Sequence, residues 1–181
     1  AEIYKHWKDG KIIHDWFIFE PDLEYVGRWY RQLAGESLGK DGKGITPTVS
    51  IGTTDLHSVG QLYLGGPKDK FTTFISVKNH GKDFAIPDGD SLVALVPDVA
   101  GKKFGSILDA ILRGVKTVYK KQSLPFAEAE LKEISEESLG EFMQTKMMET
   151  VYLAQLMGVN PLDQPQVELY KEETRKLLKK I

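Results

Sequence analysis

The sequence contains no cysteine. That excludes disulfides, thiolate metal sites and a cysteine nucleophile, and is consistent with a reducing cytosol. No apolar run approaches the roughly 20 residues that a membrane-spanning helix needs, and no secretory signal pattern is visible. An excess of one charge is missing too: 24 Lys and Arg stand against 26 Asp and Glu. Nothing therefore suggests bulk attraction to nucleic acid or to an anionic membrane, and any basic site has to be local. Internal repeats and low-complexity segments are absent as well. What is there is a chain of 181 residues, a length that suits one domain with a full hydrophobic core. It opens on Ala1 rather than Met and enters structured-looking sequence promptly, which suggests a processed protein or a piece of a longer one.

The stretch from Ile45 to Leu62 changes period in its middle. Val49 and Ile51 alternate as in a strand, and Gly52 breaks the run. Thr53, Thr54 and Asp55 offer side-chain oxygens as helix caps just before an apolar pattern at Leu56, Val59, Leu62 and Tyr63. The reading is strand, tight turn, helix, with His57 in the first turn. In open α/β sheets ligands bind beyond the carboxyl ends of the strands, where a helix N-terminus offers N–H donors.

The rest of the chain alternates in the same way. Asp15 to Glu20 is a short aromatic strand ended by Pro21-Asp22, with Asp22 as the expected cap of a helix carrying Leu23, Val26, Trp29/Tyr30 and Leu33. A loop from Gly39 to Gly44 follows. Phe71, Phe74, Ile75 and Val77 suggest a buried strand, and Asn79 to Asp90 an exposed loop. Lys102 to Gln122 is an amphipathic helix candidate, Pro125 to Ile134 a strand with one solvated face, and Ser135 to Gly158 a long helix with a glycine stop. Asn160-Pro161 separates it from a last helix, roughly Gln164 to Lys180. Strands alternating with helices predict an α/β fold, a three-layer α/β/α sandwich with a mainly parallel sheet.

Three places carry polar residues that packing alone does not require. Glu36 sits between glycines at the end of an amphipathic helix, where partial desolvation would raise its pKa and suit it to act as a base; an ordinary solvated glutamate fits the same position. His57 has the near-neutral titration that proton transfer uses, although a lone histidine is more often a surface or capping residue. Gln164 and Lys171 stand seven residues apart on one helix face, with Glu168 between them. An amide and an ammonium converging on a ligand, or a plain Glu168–Lys171 surface pair, both answer to that spacing.

Taken together, Gln32-Leu33-Ala34-Gly35-Glu36-Ser37-Leu38-Gly39-Lys40, Gly52-Thr53-Thr54-Asp55-Leu56-His57-Ser58 and Asn160-Pro161-Leu162-Asp163-Gln164-Pro165-Gln166-Val167-Glu168 resemble, in order and spacing, the motifs of the glucose-6-phosphate isomerase family. The likeness runs from the Trp16 strand to the final helix. It implies a sugar isomerase (SIS) domain of flavodoxin-like architecture over residues 1–181, the second of two such domains plus a closing helix, and so the C-terminal part of a longer cytoplasmic enzyme.

The resemblance also implies roles. Glu36 matches the base that moves a proton between C2 and C1 of an open-chain hexose 6-phosphate through a cis-enediolate. His57 matches a ring-opening histidine supplied across the interface of a homodimer, Lys171 the lysine that works with it at the ring oxygen, and Gln164 a glutamine lining the substrate site. No cofactor, metal, nucleic acid or membrane is implied. The chain departs from the family pattern at Ala34-Gly35, Leu56, Gln166 and Tyr170. It has no counterpart of the Ser/Thr-rich phosphate loop and the arginine that the N-terminal SIS domain contributes, so the chain alone is expected to be nearly inactive. Other readings are a non-catalytic SIS module that senses a phosphosugar, an isomerase that also accepts mannose 6-phosphate, and an assembly domain using the apolar Met143–Met157 helix.

Overall fold

The computed structural model describes residues 2–89 and 96–181. Four strands, β1 (Ile13–Ile18), β2 (Thr46–Ile51), β3 (Lys70–Asn79) and β4 (Phe126–Glu133), form one all-parallel sheet in the order β2-β1-β3-β4. Trp16 is in register with Val49 on one side and Thr73 on the other. Parallel strands need crossover segments, and the helices between them cover both faces.

One face packs on α1 (Glu2–Lys8), α2 (Glu24–Leu38) and α6 (Glu136–Met157). Trp16 and Ile18 of β1 meet Tyr30 and Leu38 of α2 and Leu153 and Met157 of α6 there. The Trp16 and Tyr30 rings stack with centroids 3.7 Å apart. The other face packs Phe17, Phe19 and Phe74 against Leu112 and Tyr119 of α5 (Phe104–Lys121), with Leu56, Tyr63 and Leu64 of two short helices, α3 (Thr54–Ser58) and α4 (Gly60–Gly65). Successive strand side chains point to opposite faces, so alternate residues of β1 build two separate cores. The result is the three-layer α/β/α sandwich that the alternation of elements predicts.

The last of the described helices, α7 (Pro165–Leu178), buries none of its residues. The long α6 starts and stops as its sequence suggests. Ser135 accepts a hydrogen bond from the Ser138 N–H, and Gly158 takes the left-handed conformation at φ 67°.

Two capping expectations are corrected. Asp22 does not cap α2: Pro21–Leu23 forms a single 3-10 turn and Leu23 precedes the helix without a side-chain cap. Leu23 is instead buried, so packing rather than capping sets this helix start. Nor does Thr53 cap α3 with its side chain; the Asp55 carboxylate accepts from the Ile51 N–H at 2.7 Å, closing the end of β2 instead. The loop after β3 is open and largely exposed through residue 89, while Asp90 lies outside the described residues. The N-terminal helix α1, too short for a periodic signal in the sequence, is held by burial of Ile3.

Candidate functional site

In a parallel sheet, a helix that follows a strand returns the chain to the sheet's amino-terminal edge. Glu36, near the end of α2, and the residues after α6 therefore arrive at the same edge. There the Gln164 side-chain amide donates to Glu36 Oε2 at 3.0 Å, and the Gln32 amide donates to Glu36 Oε1, also at 3.0 Å. Each carboxylate oxygen thus has its own oriented donor. Around them Gly35, Gly39, Lys40, Pro165 and Val167 line a shallow cleft of about 60 Å³. Glu36 itself is exposed, so of the two readings its position allows, the chain by itself shows the solvated glutamate. The covering that would exclude water is not supplied by the described residues.

Gln164 also differs from its expected placement. It stands at the N-cap of α7 rather than within the helix, because Pro165 occupies the first helical position. Lys171 lies two turns along α7, outside the walls of the Glu36 cleft. Its Nζ is 2.8 Å from Glu168 Oε1, with Arg175 3.6 Å from the other oxygen. The hydrogen bond from Lys171 pulls the Glu168 carboxyl below its usual range, and Glu168 in turn raises the lysine. The surface-pair reading of this spacing is thus what the chain shows by itself.

His57 is not brought to this cleft. It follows the carboxyl end of β2, on the exposed surface of α3, so the six-residue strand β2 separates it from Glu36 within one chain by roughly 17 Å of strand length. Within one chain, neither His57 nor Lys171 lines the cleft that holds Glu36.

Sequence reasoning passed over Lys40 and Asp163, which the fold places beside Glu36. Lys40 is buried, its Nζ donating to the backbone carbonyls of Glu36 at 2.9 Å and Ser37 at 3.1 Å, and lying 3.6 Å from Asp163 Oδ1. The available signal was its position: a cation just past a helix C-terminus meets the unpaired carbonyls there. A larger groove of about 480 Å³ between α1 and α6, lined by Ile3, Met148, Tyr152, Leu153 and Leu156 together with Gln144, Thr145 and Glu149, is mainly apolar and holds none of the motif residues. Among the described residues no group of three or more His, Asp or Glu side chains could hold a metal ion, and no helix is long and apolar enough to cross a membrane.

No family model matches the chain. It is 38% identical over 165 residues to the glucose-6-phosphate isomerase of Rubrobacter xylanophilus, 35% over 182 residues to that of Mycoplasmopsis synoviae, and 33% over 176 residues to that of Methanocaldococcus jannaschii. The chain is homologous to part of glucose-6-phosphate isomerase. These matches take in 91%, 99% and 97% of the chain but only 38%, 42% and 43% of the relatives, so the chain spans about two fifths of their length. Among solved structures, a hypothetical protein of Thermus thermophilus superposes at TM-score 0.89 with 30% identity, over 98% of this chain and 43% of that one. A glucose-6-phosphate isomerase of Chlamydia trachomatis shares the fold at TM-score 0.79 and 18% identity, over 93% of this chain and 35% of that one.

Proposed function

We propose that these residues form the carboxyl-terminal SIS-type domain of a longer cytoplasmic enzyme that interconverts glucose 6-phosphate and fructose 6-phosphate. The observation that carries this reading is the Gln164–Glu36 hydrogen bond, which joins two sequence motifs 128 residues apart at one cleft. The Glu36 carboxylate takes the proton from C2 of the open-chain aldose. The electron pair left behind forms the C1–C2 double bond of an enediolate as the C1 carbonyl electrons move onto O1; transfer of the C2 hydroxyl proton to O1 and return of the abstracted proton from Glu36 to C1 leave a carbonyl at C2, the ketose. One base serves both carbons because they are adjacent.

Before that step the ring has to open, with a donor at the ring oxygen and an acceptor at the anomeric hydroxyl. His57 of a second copy in a homodimer, working with Lys171, fills these roles. Lys171 has to exchange its bond with Glu168 for one with substrate, which its exposed position permits. Gln164 orients Glu36 and lines the substrate site. The amino-terminal SIS domain supplies the phosphate grip and the cation that stabilises the enediolate, and its packing over the open Glu36 cleft excludes water.

The test compares the full-length protein with the 181 residues alone in a coupled assay for fructose 6-phosphate turnover. The complete enzyme turns over and the isolated chain is close to inactive. Full activity in the isolated chain, or none in the complete protein, contradicts the proposal. Profiling the complete enzyme with mannose 6-phosphate then separates a dedicated isomerase from a bifunctional one.

A further inference from the structure

Lys40 is buried, yet it is a lysine, and a buried ammonium persists only where its donors are matched. Its partners here are unusual in what they connect. Two are the backbone carbonyls of Glu36 and Ser37, at 2.9 and 3.1 Å. The third is the Asp163 carboxylate at 3.6 Å, an ion-pair distance. Asp163 immediately precedes Gln164, whose amide reaches back to the Glu36 carboxylate at 3.0 Å. Asp163 is itself held by the Asn160 side-chain amide at 3.0 Å.

These bonds close a ring. It runs from the Glu36 backbone through Lys40 to Asp163, along the chain to Gln164, and back through the Glu36 side chain. A lysine that merely capped α2 would need the carbonyls alone; this one also fixes the loop that carries the donor to Glu36. Other ties support the same corner. Lys43 Nζ donates to the Gly158 carbonyl at 3.4 Å, and Gly44, at φ 128°, lets the loop pass against Gly39, where an added Cβ would stand 3.1 Å from the Gly39 Cα.

We infer that Lys40 is the positioning residue of the Glu36 base, acting through Asp163 and Gln164 to hold the carboxylate at the angle needed for proton transfer. This rests on the reading of Glu36 as that base. Such a residue affects the chemical step more than substrate binding, because a carboxylate that swings loses alignment with two adjacent carbons.

In the full-length protein, Lys40→Met is expected to lower kcat at least tenfold with KM within twofold. The deuterium isotope effect with substrate labelled at C2 rises, as proton abstraction becomes slower than the other steps. Lys40→Arg, which keeps the cation, restores most of the loss. Asp163→Asn, at an exposed position, lowers kcat about threefold with KM unchanged and carries the test if Lys40→Met does not fold. A kcat within twofold of the parent in Lys40→Met, or in Asp163→Asn where that variant stands in, overturns the inference when Glu36→Gln is dead, and leaves the base reading intact. Turnover retained in Glu36→Gln instead removes the base reading, and the inference falls with it.

Discussion

Gln164 donates its side-chain amide to the Glu36 carboxylate at 3.0 Å although 128 residues separate the two in sequence. A hydrogen bond to a charged group is worth about 1.5–3 kcal/mol, and about 1.4 kcal/mol is a factor of ten. Replacing Gln164 with Leu in the complete enzyme is therefore expected to lower kcat/KM by roughly ten- to a hundredfold. Steady-state kinetics on purified protein check this, and an unchanged kcat/KM would show that the contact does not reach the reaction.

Acid stability depends on His14. Its ring is fully buried between Tyr30 Oη at 3.1 Å and Thr73 Oγ1 at 2.8 Å. Burial, with a smaller contribution from the Lys146 charge, lowers its pKa to about 3. Because the folded value lies below the unfolded value of about 6.5, the stability it contributes is complete above that pH and is lost as pH falls toward about 3. At about pH 5 the loss is about 2 kcal/mol. Burial of Asp15 acts in the opposite sense by raising its carboxyl, and so does His80, which burial lowers but the Glu20 and Asp109 carboxylates raise by more. A matched comparison isolates the histidine: the stability gap between the parent and His14→Gln is expected to narrow by about that amount between about pH 7 and about pH 5. A constant gap in chemical denaturation would contradict the assignment.

Two glycines of α2 respond oppositely to alanine. At Gly27 a Cβ would stand 2.6 Å from Ile18 Cδ1 and 2.8 Å from Val49 Cγ1, and the stiff valine cannot yield without moving β2. Overpacking of about 1–3 kcal/mol outweighs the roughly 1 kcal/mol gained in helix propensity, so Gly27→Ala destabilises by about 1 kcal/mol. At Gly35 the nearest atom is Pro47 Cγ at 4.0 Å, and Gly35→Ala stabilises by about 0.5–1 kcal/mol. Thermal or denaturant melts of the two variants distinguish them by sign.

Much of the architecture was legible in the sequence because period and punctuation agree. Ser135 and Gly158 bracket α6 as their chemistry requires, and the aromatic run of β1 reads as a doubly buried strand. Asp22 and Thr53 misled because an available cap is not a used one where Leu23 burial or the Asp55–Ile51 bond already fixes the chain. At the site, the sequence paired Glu36 with Gln164 only through the resemblance; no periodicity links residues so far apart. Whether Glu36 is desolvated or solvated was left open by the sequence, since desolvation is a property of what covers a residue. Lys40 was passed over because a lysine in a glycine-rich loop reads as solvated, and only the fold reveals that α2 and the Asn160–Asp163 turn enclose it.

Proton transfer by Glu36 is open to one direct measurement. In the full-length protein, Glu36→Gln keeps the size of the side chain and removes its basicity. A positioned general base is worth about a hundred- to ten-thousandfold in rate. Isomerase turnover of Glu36→Gln is expected to fall by at least a hundredfold, with glucose 6-phosphate still binding at close to the parent's affinity by calorimetry. Turnover within tenfold of the parent would contradict the account.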